Sequence, residues 1–311
     1  MDNPVISVVS PVYKAELILD ELVKRINESI DPITSSYEII LVEDHSPDGS
    51  WEKIVEICQN HPEVKGIKLS RNFGQHNAIA AGLFHAHGEY IIVMDCDLQD
   101  NPKYIKDLLE KAKEGNEIVY TLKIRRKHNK LKNAVTFFWS KIFNWLADDK
   151  ALNSNLKVGS YSLITKKVLI EYNRLNDYYK PYLGMLSLLG FKNDYIKIEH
   201  EARFSGKSSY SARKLISHAV NGIISQTDKL LTISIFTGLF FSLIGIFLIV
   251  YLVYLHFYSG FSQGWASLVV LIIFNTGLIL TSLGIVGAYI GKIFLQTKNR
   301  PNFIVEVKIN I

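Results

Sequence analysis

Apolar and polar positions alternate in blocks along the first 122 residues. Five short apolar runs are bounded by turn residues, as buried strands are: Ile6 to Val12, Glu38 to Glu43, Gly66 to Leu69, Tyr90 to Met94 and Ile118 to Leu122. Helix-like runs lie between them, at Leu17 to Ser29, Trp51 to Gln59, Asn77 to His87 and Lys103 to Lys113. Strand–helix alternation predicts an α/β domain with a mostly parallel sheet, helices on both faces and right-handed crossovers.

Past residue 122 the pattern changes. Lys123, Arg125, Arg126, Lys127, Lys130 and Lys132 form a basic run, with no acid between Glu117 and Asp148. Phe138, Ile142 and Trp145 then recur at helical spacing, and Trp139 and Phe143 widen the stripe. This segment, about 123–147, has two readings: a membrane-surface helix beside a basic flank, or a core helix with a solvated loop. No nucleic-acid-binding motif accompanies the basic run, so nucleic acid is not an expected partner.

Ile233 to Leu255 is 23 residues without a charge, and Ala266 to Gly291 is 26 more. Each is long enough to cross a hydrocarbon core of roughly 30 Å as a helix. Arg213, Lys214 and Lys229 precede the first run, Lys292, Lys298 and Arg300 follow the second, and His256 to Trp265 has no Lys or Arg. The positive-inside rule then predicts a hairpin with both termini in the cytoplasm. Two spans without an ionisable residue suit an anchor better than a conduit. Glycines 238, 245, 277, 284, 287 and 291 would allow close helix packing, within the hairpin or between protomers.

The chemistry gathers at the ends of the predicted strands. The fourth runs straight into Asp95-Cys96-Asp97, followed by Gln99 and Asp100. Ligands of open α/β sheets sit outside the carboxyl ends of the strands. Two carboxylates two residues apart suit Mg²⁺ or Mn²⁺ shared with substrate phosphates. A lone pair of acids there would read as a turn that caps the next helix. Strand one, however, ends at Ser10-Pro11-Val12-Tyr13 with Glu16 beyond, and strand two at Glu43-Asp44-His45-Ser46. Acids on three strand ends suit a nucleoside diphosphate, whose base and ribose offer N–H and O–H donors. The P-loop and the G-x-G-x-x-G fingerprint are both absent, which argues against an NTPase or a dinucleotide dehydrogenase.

Composition narrows this further. Hydrophobic residues are 48% and aromatics 12%, which excludes a disordered chain, and the net charge of +5 is modest. Cys58 and Cys96 are the only cysteines, so no disulfide framework is expected. The N-terminus has no basic flank before its apolar run and reads as a strand, not a signal peptide.

The order PVY, VEDHSPDG, SRNFGQHNA and DCDLQDNP resembles family 2 glycosyltransferases with the GT-A fold. SRNFGQHNAIAAG, RFSGKSSYS and GAYIGKIF followed by NRP narrow the resemblance to the polyprenyl-phosphate glycosyltransferases. These include GtrB-type glucosyltransferases, undecaprenyl-phosphate aminoarabinose transferases and dolichol-phosphate mannose synthases. The resemblance implies a UDP-sugar donor, a polyprenyl phosphate acceptor, and Mg²⁺ or Mn²⁺. It implies nucleotide contacts at Pro11, Tyr13, Glu16, Asp44, Ser46, Arg71 and Gly74, with Asp44 on the uracil. Asp95, Asp97 and Gln99 would gather around the metal. Arg125, Arg126, Lys127, Arg203 and Ser208 would face the acceptor phosphate, with the donor phosphate as the alternative for Arg125 and Arg203, and Arg125 and Arg203 would be catalytic with Asp95, Asp97 and Asp100. Asp100 would orient the acceptor or assist a proton, or else cap a helix.

Departures from the family pattern stand beside this. Lys14 replaces a usual Asn, His45 a common Gly, Ser160 the Asp of a Gly-Asp-aromatic signature, and Leu183 a frequent Arg. Gly206-Lys207-Ser208-Ser209 replaces Gly-Glu-Ser-Lys. A processive polysaccharide synthase would need a QxxRW-type motif and more spans. A nucleotidyltransferase would need a Gly-rich first loop. A non-catalytic nucleotide-binding scaffold is opposed by the retained metal-side groups. The expected organisation is a cytoplasmic GT-A domain at 1–228, a hairpin in the inner membrane at 229–295, with homo-oligomerisation through it a candidate, and a tail at 296–311. The sheet is expected to lie wholly upstream of the spans.

Overall fold

The computed structural model describes residues 4–124, 158–199, 229–259 and 265–311. These fall into two compact units: 4–124, 158–199 and 300–311 form one, and 229–259 with 265–299 the other.

The first unit is built on one eight-stranded sheet. Its strands are β1 (Ile6–Val12), β2 (Tyr37–Glu43), β3 (Val64–Leu69), β4 (Tyr90–Val93), β5 (Ile118–Ile124), β6 (Val158–Thr165), β7 (Asn193–Glu199) and β8 (Val305–Ile309), in the order β7-β5-β6-β4-β1-β2-β3-β8. The central block β4-β1-β2-β3 is parallel, with Val12 opposite Glu43 and Val9 opposite Val93. Its crossovers are α1 (Leu19–Ile30), α2 (Ser50–Asn60) and α3 (Gln75–Phe84); α4 (Ile105–Lys113) follows β4. Two more helices, α5 (Lys166–Arg174) and α6 (Tyr182–Leu189), lie between β6 and β7.

Alternation along the strands feeds two cores. Ile6, Val8 and Val12 of β1, Ile39 and Leu41 of β2, and Ile92 of β4 pack with apolar residues of α1, α2 and α4. Val9, Ile40, Val42, Ile91 and Val93 point the other way and pack with α3, α5 and α6. Gly82 lets α3 settle on the sheet: a Cβ there would stand 2.3 Å from Val9 Cγ1.

Three strands lie beyond the five expected: β7 pairs parallel with β5, and two others break the parallel pattern. β6 enters antiparallel between β4 and β5, with Val93 opposite Ser162 and Ile118 opposite Ile164. β8 pairs antiparallel with β3 and closes the far edge. The expectation of a tail at 296–311 and of a sheet wholly upstream of the spans is therefore corrected. The edge of β3 would otherwise leave its backbone groups without ladder partners. Asn310 fastens the end, donating from Nδ2 to the carbonyls of Cys58 and Val64 at 2.9 Å each.

The second unit holds α7 (Lys229–Ser259) and α8 (Trp265–Thr297), of 31 and 33 residues. Both are long and apolar enough to cross a membrane, and Phe236, Phe247, Leu280 and Ile293 are exposed. A soluble core helix would bury such side chains. The helices meet through Ser234 Oγ, which donates to Ser282 Oγ at 2.9 Å, and an edge-on Phe241–Phe274 pair 5.2 Å apart. At all six glycines the space a Cβ would take is open, so within the described residues none serves close packing inside the hairpin.

Asn310→Ala is expected to lower the stability of the sheet-bearing unit by about 1–2 kcal/mol, from two lost hydrogen bonds. A chain ending at residue 300 should melt several degrees lower or aggregate through β3. Thermal unfolding of both in detergent checks this; unchanged melting would mean that β8 adds nothing to the sheet.

Candidate active site

The carboxyl ends of β4, β1, β2 and β3 stand side by side, so the polar segments 95–100, 13–16, 44–49 and 70–74 share one rim. The first two crossover loops are laced together there. Lys14 N donates to Ser46 Oγ at 2.7 Å, Ala15 N to Ser50 Oγ at 3.0 Å, and Gly49 N to the Glu16 carboxylate at 3.0 Å. The backbone N–H of Ser46 donates to the buried Glu43 carboxylate. Glu16 and Ser46, expected near a nucleoside, thus also shape the rim. Pro11 is buried inside β1, while Tyr13 is 40% exposed.

Asp44 is 3% exposed, and both its oxygens are engaged. Oδ1 accepts from Phe73 N at 2.7 Å and Oδ2 from Gly74 N at 2.8 Å. Gly74 has φ +89°, a conformation that glycine adopts freely. Burial pushes the Asp44 carboxyl up from its ordinary range, and the two amides pull it back. Arg71 is exposed, its guanidinium 4.2 Å from the Phe73 ring centroid.

Lys14 and His45, two departures from the family pattern, have left-handed backbones, with φ +56° and +50°. Asn and Gly are the residues that tolerate this region best. Asn at 14 or Gly at 45 would therefore meet less backbone strain than Lys14 and His45 do.

At the end of β4, Asp95 is gripped from two sides. Gln75 Nε2 donates to Oδ1 at 2.7 Å, and Ser160 Oγ donates to Oδ2 at 3.0 Å. Asp97 Oδ1 accepts from Gln99 N at 3.2 Å, and buried Leu98 turns the chain at φ +58°. Asp100 is fully buried, and the cap of the following 3₁₀ turn is Asn101, whose Oδ1 accepts from Lys103 N at 3.0 Å. Arg125, Arg126, Lys127, Arg203 and Ser208 lie outside the described residues. Gln75 was not singled out in the sequence; Ser160 was noted only as a departure. The alternation Ser160 to Ile164, as long as other runs read as strands, was the signal that could have found β6.

The family model for glycosyl transferase family 2 matches residues 7–172, which span β1 to α5. The chain belongs to glycosyl transferase family 2. YkcC, an uncharacterized glycosyltransferase of Bacillus subtilis (strain 168), is 33% identical over 98% of this chain and 94% of its own length. The bactoprenol glucosyl transferase of Shigella phage SfII is 30% identical over 97% of each chain. Among solved structures, glucosyl-3-phosphoglycerate synthase of Mycobacterium tuberculosis in complex with UDP superposes with a TM-score of 0.50 at 14% identity, covering 72% of this chain and 79% of that one. The fold of this glycosyltransferase is GT-A.

The donor set fits Mg²⁺ or Mn²⁺ held jointly with a diphosphate. Among the described residues no three His, Cys, Asp or Glu side chains converge on one point. Asp95 and Asp97 supply two hard carboxylates, and such ions complete their shell with substrate phosphates and water.

His45→Gly is expected to stabilise the protein by up to about 1 kcal/mol, the left-handed strain less the unfolded-chain entropy that glycine adds. A melting temperature that stays or falls would show that the His45 side chain makes a compensating contact.

Proposed function

We propose that this glycosyltransferase moves a sugar from a UDP-sugar to a polyprenyl phosphate, undecaprenyl phosphate in a bacterial envelope, with inversion at the anomeric carbon. The observation that carries the reading is the rim of acids on adjacent strand ends, in a chain that continues into two membrane-length helices. Alignment with a bactoprenol glucosyl transferase over 97% of the chain, helices included, supports it.

The acceptor phosphate monoester has a second pKa of about 6 and is already largely the dianion at neutral pH. Its oxygen attacks the anomeric carbon as the bond to UDP breaks. No proton need be removed, so no strong general base is required. Asp44 accepts from the uracil N3–H with the lone pairs left by Phe73 and Gly74, and Tyr13 and Arg71 flank the nucleoside. Asp95 and Asp97, with Gln99 beside them, hold Mg²⁺ or Mn²⁺, which when bound supplies Lewis-acid stabilisation of the departing diphosphate. Arg125, Arg126, Lys127, Arg203 and Ser208 are assigned to the acceptor phosphate, which a guanidinium grips with a planar fork.

The lipid explains the anchor. Each CH₂ leaving the bilayer costs about 0.8 kcal/mol, so the acceptor stays put and the active site must reach the interface. The proposed organisation has the catalytic unit and both termini cytoplasmic, with α7 and α8 crossing the inner membrane.

Purified protein with undecaprenyl phosphate and a panel of UDP-sugars is expected to yield one lipid-phosphate sugar by mass. EDTA should abolish the product and Mg²⁺ or Mn²⁺ restore it, and Asp97→Ala should be inactive yet folded. Full activity in chelator would remove the metal from the reading.

Asp44→Ala should weaken UDP binding by about tenfold or more, as expected for a lost hydrogen bond to a charged group. Calorimetry showing unchanged affinity would move the base elsewhere.

A further inference from the structure

Asp95 stands two residues past β4. The antiparallel register of β4 with β6 pairs Ile92 with Leu163 and Val93 with Ser162. Carried two steps further, it sets Ser160 opposite Asp95, and the Ser160 hydroxyl donates to Oδ2 at 3.0 Å. From the first residue of α3, Gln75 donates to Oδ1 at 2.7 Å. The two donors lie 20 and 65 residues from Asp95 in sequence and reach it from different elements.

Ser160 is itself held. Ser162 Oγ donates to the Ser160 carbonyl at 3.0 Å. Having given its single proton there, it accepts from the Tyr182 hydroxyl at 2.8 Å. Tyr182 is buried at the start of α6, edge-on to Tyr172 with centroids 6.0 Å apart. The carboxylate is thus tied through β6 to the core.

A carboxylate at a site rim ordinarily samples several rotamers, and a ligand must then bear the cost of fixing one. A donor on each oxygen removes that freedom beforehand. Both donors are neutral, so they leave the negative charge in place.

We infer that Gln75 and Ser160 are positioning residues, which fix the Asp95 carboxylate to receive the nucleoside-diphosphate part of the donor. The inference rests on the reading of the rim as the donor site. It makes the antiparallel strand β6 part of the nucleotide site, although its sequence carries no acid.

The test is a double-mutant cycle on the full-length protein in detergent, read as UDP affinity by calorimetry, with Mn²⁺ and with EDTA. Ser160→Ala and Gln75→Ala should each weaken UDP about tenfold, the size of one hydrogen bond to a charged group. Ser160→Thr, which keeps the hydroxyl, should restore most of the affinity. In an Asp95→Asn background the same alanine changes should cost less than about twofold, since residues acting through one group couple. Equal losses in both backgrounds, or no loss in either, would overturn the inference. Should Ser160→Ala not fold, Gln75→Ala on its separate element carries the cycle. A wild-type protein that binds no UDP overturns the donor-site reading, and with it the ligand assigned to the grip.

Discussion

A parallel sheet must turn its chain at the carboxyl end of every strand, and each turn leaves backbone amides without ladder partners. In this protein acidic side chains accept from those amides. Glu43 takes Ser46, Glu16 takes Gly49, Asp44 takes Phe73 and Gly74, and Asp97 takes Gln99. The loops of the rim owe their shape to these carboxylate–amide bonds. The same bonds place the acids where a ligand would meet them. The acids proposed to meet the ligand are thus the ones that shape the loops, and a substitution at Asp44 disturbs the loop at Phe73 and Gly74.

Asp95 is different among them. It accepts from two side chains, Gln75 at the start of α3 and Ser160 on β6, which lie on either side of it in sequence. A carboxylate held by side chains can be tuned without rebuilding a turn. That suits an acid whose proposed role depends on the orientation of its carboxylate more than on loop shape.

The chain's other constraint is topological. It leaves the sheet, forms two helices of membrane length, and then returns to supply β8. The hairpin is thus a long insertion between two strands of one sheet, joined to it at both ends.

Much of this was legible in the sequence because it depends on local chemistry. The apolar runs of β1 to β5, the intervening helices and the two uncharged stretches follow from residue type and period alone. So does the presence of Asp44, Asp95 and Asp97 at strand ends, since a strand that stops at an acid carries it to the rim. What the sequence could not show were the long-range pairings. Nothing within Val158–Thr165 says that it inserts antiparallel between β4 and β5, and nothing within Val305–Ile309 says that it returns to β3. Strand partners are chosen by edges left open elsewhere in the fold, not by the strand's own period. For the same reason Gln75 and Ser160 became site residues only in three dimensions: each is ordinary in its own segment, and the register of β6 and the start of α3 bring both to one carboxylate.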